Sequence, residues 1–105
     1  MMKLSDGKKE LELINCKSFY KRLKGFMFEK NINKALLFDR CNSIHTFFMK
    51  EDIDVIMIDK ENNIVYFKEN LKKNRILIKK KAYHTIELPH NSIKNININD
   101  KLTIS

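Results

Sequence analysis

The sequence predicts a mainly β, α+β domain: short, largely antiparallel strands with one short helix near the N-terminus. Short runs of Ile, Val, Leu, Phe and Tyr recur along the chain, each closed by polar residues, which is the pattern of strands with a buried face. Apolar residues fall on a helical spacing in one segment. With 105 residues, one Pro, two Gly and no Ser/Gly/Pro-rich linker, the chain suits one domain, because separate cores need upwards of about 50 residues each. Residues 1–10 are expected to be a flexible N-terminus, and 11–105 the single domain.

Leu11 to Asn15 reads as the first strand. From Cys16 to Phe28, Phe19, Leu23 and Phe26 or Met27 recur at helical spacing. Ser18 is placed to cap that helix, and Gly25 sits where it should end, since Gly takes the left-handed cap cheaply. Ala35 to Phe38 and Thr46 to Met49 are short apolar runs. At strand spacing, Phe47 and Met49 share one face and Phe48 and Lys50 the other. These aromatic side chains are expected in the core, with Phe48 and Lys50 as a pair at its rim. Ile53 to Ile58, a polar turn from Asp59 to Asn63, and Ile64 to Phe67 read as a hairpin, β-branched and aromatic on both arms. Ile76 to Ile78, Tyr83 to Leu88 and Leu102 to Ile104 supply three more strands. Alternation with Ile86 and Leu88 directs Glu87 to solvent or to line a cavity from the opposite face, with solvent preferred.

Charge and cysteine count bound the function classes. Twenty-one Lys+Arg against 13 Asp+Glu give a formal charge of +8, which attracts polyanions when clustered. Lys, Asn and Ile dominate the composition, however, and only Arg22, Arg40 and Arg75 are arginines. Arg is the better bidentate phosphate ligand, so nucleic acid is disfavoured as a partner. The densest basic surface runs from Lys68 to Lys81 and includes Lys72, Lys73, Arg75, Lys79, Lys80 and Lys81. Cys16 and Cys41 lack zinc-site or disulfide-framework spacing and are expected to be reduced thiols. His84 and His90 approach no metal-ligand spacing, and no phosphate-binding glycine loop or hydrolase motif occurs. No metal or cofactor is expected. No stretch reaches the roughly 20 apolar residues of a membrane helix, and the start has no apolar signal region, so a cytoplasmic location is expected.

Four blocks, read in order, resemble the family called domain of unknown function 192. Gly25-Phe26-Met27-Phe28-Glu29 is similar to its G-L-M-F-R element, with Glu for Arg. Ala35-Leu36-Leu37-Phe38 is similar to G-M-L-F, with Ala for Gly. His45-Thr46-Phe47-Phe48-Met49-Lys50 resembles the H-T-F-F-M form of one branch and leads into Asp52-Ile53-Asp54, where Asp52 stands for Pro. Ile86-Glu87-Leu88 is similar to the late L-E-L block, and Asn99-Asp100 replaces Gly-Asp. The resemblance spans Leu11 to Ile104 and implies a small barrel-like β fold with a short helix near its start. Many relatives are secreted or lie near envelope and pilus-assembly genes; this chain resembles the cytoplasmic branch.

His45 and Asp54 flank the Phe/Met-rich stretch. If the chain bends after Lys50, the imidazole, the Lys50 ammonium and the Asp54 carboxylate converge, and His45, Phe48, Met49, Lys50 and Asp54 line a binding cleft. A His beside a carboxylate is the minimum for acid–base work near neutral pH. Asp54 can equally cap a turn through backbone N–H groups, with His45 a satisfied, partly buried side chain, and that account is preferred. The expected function is a monomeric, non-enzymatic binding or accessory module whose partner is another protein; the resemblance implies an envelope or pilus-assembly system. A second reading is a small enzyme acting on an anionic or sugar-like substrate, with His45 as acid or base and Lys50 steadying charge. A third is a weak nucleic-acid binder using the Lys68 to Lys81 run. Lysines flanking Ile76 to Ile78 protect that edge from pairing, which favours the monomer.

Overall fold

The computed structural model describes residues 2–5, 10–16, 33–93 and 95–105. These form nine strands: β1 (Met2–Ser5), β2 (Glu10–Asn15), β3 (Ala35–Phe38), β4 (Ser43–His45), β5 (Ile53–Ile58), β6 (Ile64–Leu71), β7 (Ile76–Ile78), β8 (His84–Pro89) and β9 (Thr103–Ile104). Seven make one sheet in the order β6-β5-β8-β3-β2-β1-β9, while β4 and β7 form a separate two-stranded ribbon. Every strand pair is antiparallel except β2 with β3.

The chain is mainly β, as its pattern predicts. The helix expected between Cys16 and Phe28 falls largely on residues outside the described ones, and the described residues contain none. Met2–Ser5, inside the segment expected to be flexible, is instead the strand that joins β2 to β9. Leu4 anchors it, buried in the core.

The sheet curls into a half-barrel and is latched at one corner. Ile64 N–H donates to the Asp100 carbonyl at 2.8 Å, Leu102 N–H to the Asn62 carbonyl at 2.9 Å, and Asn99 N–H to the Ile64 carbonyl at 2.8 Å. Edge strand β6 is thereby tied to the segment entering β9 at the opposite edge. β5 is buried along its whole length, because its two faces serve two cores. Ile56 and Ile58 join Leu13, Leu37, Ile86 and Leu102 on one side. Ile53, Val55 and Met57 join Leu36, Phe38, Ile44 and Met49 on the other. A continuous apolar run is what a strand covered on both faces requires.

The ribbon covers the second core. Its register pairs Ser43 with Ile78, Ile44 with Leu77 and His45 with Ile76. Ile44 and Leu77 therefore face inward, where both pack against that core. By strand alternation Ser43, His45, Ile76 and Ile78 face out.

Candidate functional site

The apolar run Thr46 to Met49 is a tight turn at the end of the ribbon, not the strand that alternation predicts. Thr46 is buried, 1% exposed, and holds the turn. Its hydroxyl donates to the Lys72 carbonyl at 2.6 Å and accepts from Arg75 N–H at 2.8 Å. Its backbone N–H donates to the Arg75 carbonyl, and its carbonyl accepts from Asn74 N–H. One small residue thus fixes both the 46–49 turn and the 72–75 loop.

With Thr46 fixed, the next three side chains are sorted. Met49 enters the second core, 6% exposed, whereas Phe47 and Phe48 stand at 37% and 64% exposure. Their expected burial is corrected here, because the turn breaks strand alternation. Phe48 takes a φ of 63°, a left-handed conformation costly for a side chain of this bulk. His45 supports the turn: its Nδ1 accepts Phe47 N–H at 3.2 Å, and its ring stacks on Phe47 at 5.4 Å. Lys50 is exposed just beyond.

Asp54 is not in this group. Its side chain is fully buried, with Oδ1 accepting Asn70 N–H and Oδ2 accepting Ser92 and Ile93 N–H, each at 2.9 Å. Ile93 belongs to the core on the Ile56 and Ile58 side of the sheet, whereas His45 lies on the ribbon over the other side. The convergence of His45, Lys50 and Asp54 into one mouth is therefore not formed. Asp54 has the architectural role: without it three amides would lose their acceptor, at about 1–3 kcal/mol for each one left buried.

The basic run is partly committed to the fold. Lys72 pairs with Asp52 at 3.1 Å, and Lys79 lies 4.3 Å above the Tyr66 ring. Lys73, Arg75, Lys80 and Lys81 are exposed. Together these six cations bracket β7 at both ends.

Two features escaped sequence reasoning. Glu87, expected in solvent, is 3% exposed, because it sits opposite Leu36 and Val55, on the face of the sheet that the second core covers. An open cleft of about 400 Å³ lies between Arg40, Cys41, Asn42, Ser43, Ala82 and Tyr83. Its wall is fixed by Cys41 N–H donating to the Tyr83 carbonyl and by Arg40 N–H donating to His84 Nδ1 at 3.2 Å. Burial, with the nearby Arg40 charge, holds His84 below the usual imidazole range, against the pull of Asp39. No group of three or more His, Cys, Asp or Glu among the described residues is arranged to hold a metal ion, and the described residues contain no helix long and apolar enough to cross a membrane.

Comparison with known proteins gives the family. A UPF0127 protein of Thermococcus kodakarensis is 40% identical over 94 residues, covering 84% of this chain and 60% of that protein. One of Thermococcus gammatolerans is 37% identical, covering 84% and 61%. The chain thus spans less than two thirds of these relatives. Among solved structures, a protein of unknown function from Novosphingobium aromaticivorans superposes with a TM-score of 0.80 at 14% identity, covering 97% of this chain and 82% of that one. A candidate transcription regulator from Sinorhizobium meliloti gives 0.80 at 17% identity, covering 97% and 90%. At these identities the likeness concerns the fold. The model of the family DUF192, described as "Uncharacterized ACR", matches residues 2–104, and the chain belongs to that family.

Proposed function

We propose that this protein is a non-enzymatic binding module that contacts another protein through the ribbon and its terminal turn. The carrying observation is the left-handed, exposed Phe48 beside Phe47 on a turn clamped by buried Thr46. Strain of this kind persists where surrounding structure over-determines it, and it concentrates at contact and ligand sites. Rigid aromatic side chains also supply contact area at little cost in conformational entropy. His45, Phe48 and Lys50 form the contact surface in this reading, and Met49 and Asp54 hold the scaffold behind it. An acid–base role for His45 has lost the carboxylate that motivated it. Partnership with an envelope or pilus-assembly protein, action in the cytoplasm and a monomeric state belong to the same proposal, the first by analogy with the family alone.

Photo-crosslinking tests it. Benzoylphenylalanine at position 48 should give a discrete crosslinked protein in source-cell lysate, lost on competition with unlabelled protein and absent when the probe sits at exposed position 61. Equal, non-competable labelling from both positions would remove the assignment.

A further inference from the structure

Among the described residues, the ribbon has an unpaired edge of defined chemistry. Arg75 accepts Thr46 N–H, and Lys79 N–H donates to the Asn42 carbonyl. Positions 75, 77 and 79 therefore turn their backbone groups toward β4. In an antiparallel ladder the intervening residues turn theirs the other way. The N–H and C=O of Ile76 and Ile78 consequently face the far edge of β7, where no strand among the described residues pairs. Their side chains are 64% and 61% exposed on the outer face. Close by on that face, His45 pairs with Ile76 and stacks on Phe47. Lys72, Lys73 and Arg75 stand at one end of this edge, and Lys79, Lys80 and Lys81 at the other.

From this edge we infer that β7 takes up an extended peptide of a partner protein, apolar at alternate positions and acidic at its ends, as an added strand. The inference rests on the binding-module reading and names its partner's chemistry. A joining strand satisfies the two open residues, lays its alternate side chains beside Ile76 and Ile78, and puts its carboxylates on the flanking cations. The same cations repel a second copy of this basic chain. A lipid surface answers the charge and the exposed apolar side chains, but hydrocarbon cannot satisfy an open strand edge.

The test uses the intact protein and fluorescein-labelled Glu-Asp-Val-Thr-Val-Thr-Val-Asp-Glu. Saturable binding is expected, weakened about tenfold by Lys80→Glu/Lys81→Glu and further by added salt. N-methylation of the three valines should abolish it, since it removes the backbone donors that face β7 and puts methyl groups in their place. The amides of Ile76 and Ile78 should shift most in NMR spectra, and Ile76→Thr/Ile78→Thr should reduce affinity with an unchanged urea midpoint. Equal binding of the N-methylated peptide overturns strand addition. So does tight association with vesicles of about 30% phosphatidylserine in the absence of peptide binding, or a concentration-dependent dimer that the peptide does not disrupt. A partner crosslinked at position 48 alongside a failed peptide rejects the edge and spares the binding module; failure of both rejects both.

Discussion

Thr46 shows how one hydroxyl decides what a neighbourhood displays. It is buried, yet it donates to Lys72 and accepts from Arg75, so a single side-chain oxygen joins the two turns beside the backbone bonds of the same residue. Thr46→Val keeps the shape and removes that oxygen. The Arg75 amide and Lys72 carbonyl then lose their partner, which should cost about 1–3 kcal/mol; Thr46→Ser should recover most of it. Urea denaturation of the two variants checks this, and an unperturbed Thr46→Val would show that backbone bonds alone hold the turn. The same logic separates Asp54 from His45. Both lie near the H-T-F-F-M block in sequence, and adjacency suggested a shared mouth. Strand parity sends them to opposite sides of the sheet, and three backbone amides already occupy the carboxylate. Parity within Ile53 to Ile58 was available from the sequence; the partners from Asn70, Ser92 and Ile93, 16 to 39 positions away, were not.

Elements were legible where one local rule dominated. The β5–β6 hairpin announced itself through two β-rich arms and a polar turn. That turn is built by Asp59, whose Oδ1 accepts the N–H groups of Glu61 and Asn63, each at 2.9 Å, while Asn62 takes a φ of 68°. The Asn63 amide, above all, holds the Asp59 carboxyl below its ordinary value of 3.8; desolvation opposes it, and the Asn63 side chain, Glu61 N–H and Lys101 assist. The unfolded chain therefore binds the proton first. This contribution to stability is complete well above pH 3.8 and is lost as pH falls through 3.8 toward the lower folded value. Asp59→Asn keeps a turn-forming acceptor that does not titrate, so it should flatten this part of the acid limb in urea midpoints measured from about pH 5 downward. An unaltered slope would assign the limb to other carboxyls. Elements set by long-range cover were less legible. Glu87 alternates like a solvent-facing residue, but its face of the sheet, shared with Leu36 and Val55, is covered by the second core. The many asparagines, easily taken for compositional drift, also have local work: six of the eight described non-Gly residues with positive φ are Asn. Asn99, where the family pattern has Gly, is one of them, at 76°, and Asn tolerates that conformation better than most residues do. The two exceptions, Arg40 and Phe48, lie at the open cleft and the aromatic turn.

At the scale of the whole molecule, the latch between β6 and the 99–102 segment makes a cooperative unit of an otherwise open sheet. An open sheet with free edges frays from its ends, where exchange is fastest. Here both ends are tied by Ile64 to Asp100 and by Leu102 to Asn62, and Ile64 and Leu102 enter the same core. The half-barrel leaves β7, on the separate ribbon, with an edge that no strand among the described residues pairs and that cations bracket. Rigidity on one side and an addressable edge on the other are what a binding module requires. Leu102→Ala tests the rigid side, because it shortens a core side chain and loosens the latch in one change. It should cost about 2–4 kcal/mol, whereas Ile98→Ala, at a residue 49% exposed, should stay within about 0.5 kcal/mol. Amide exchange gives the sharper reading. In Leu102→Ala, protection should fall together at Leu102, at Ile64 across the latch, and at Leu4 in β1. Loss at Leu102 alone would mean that the corner frays independently and that β5, β8 and β3 carry the stability without it.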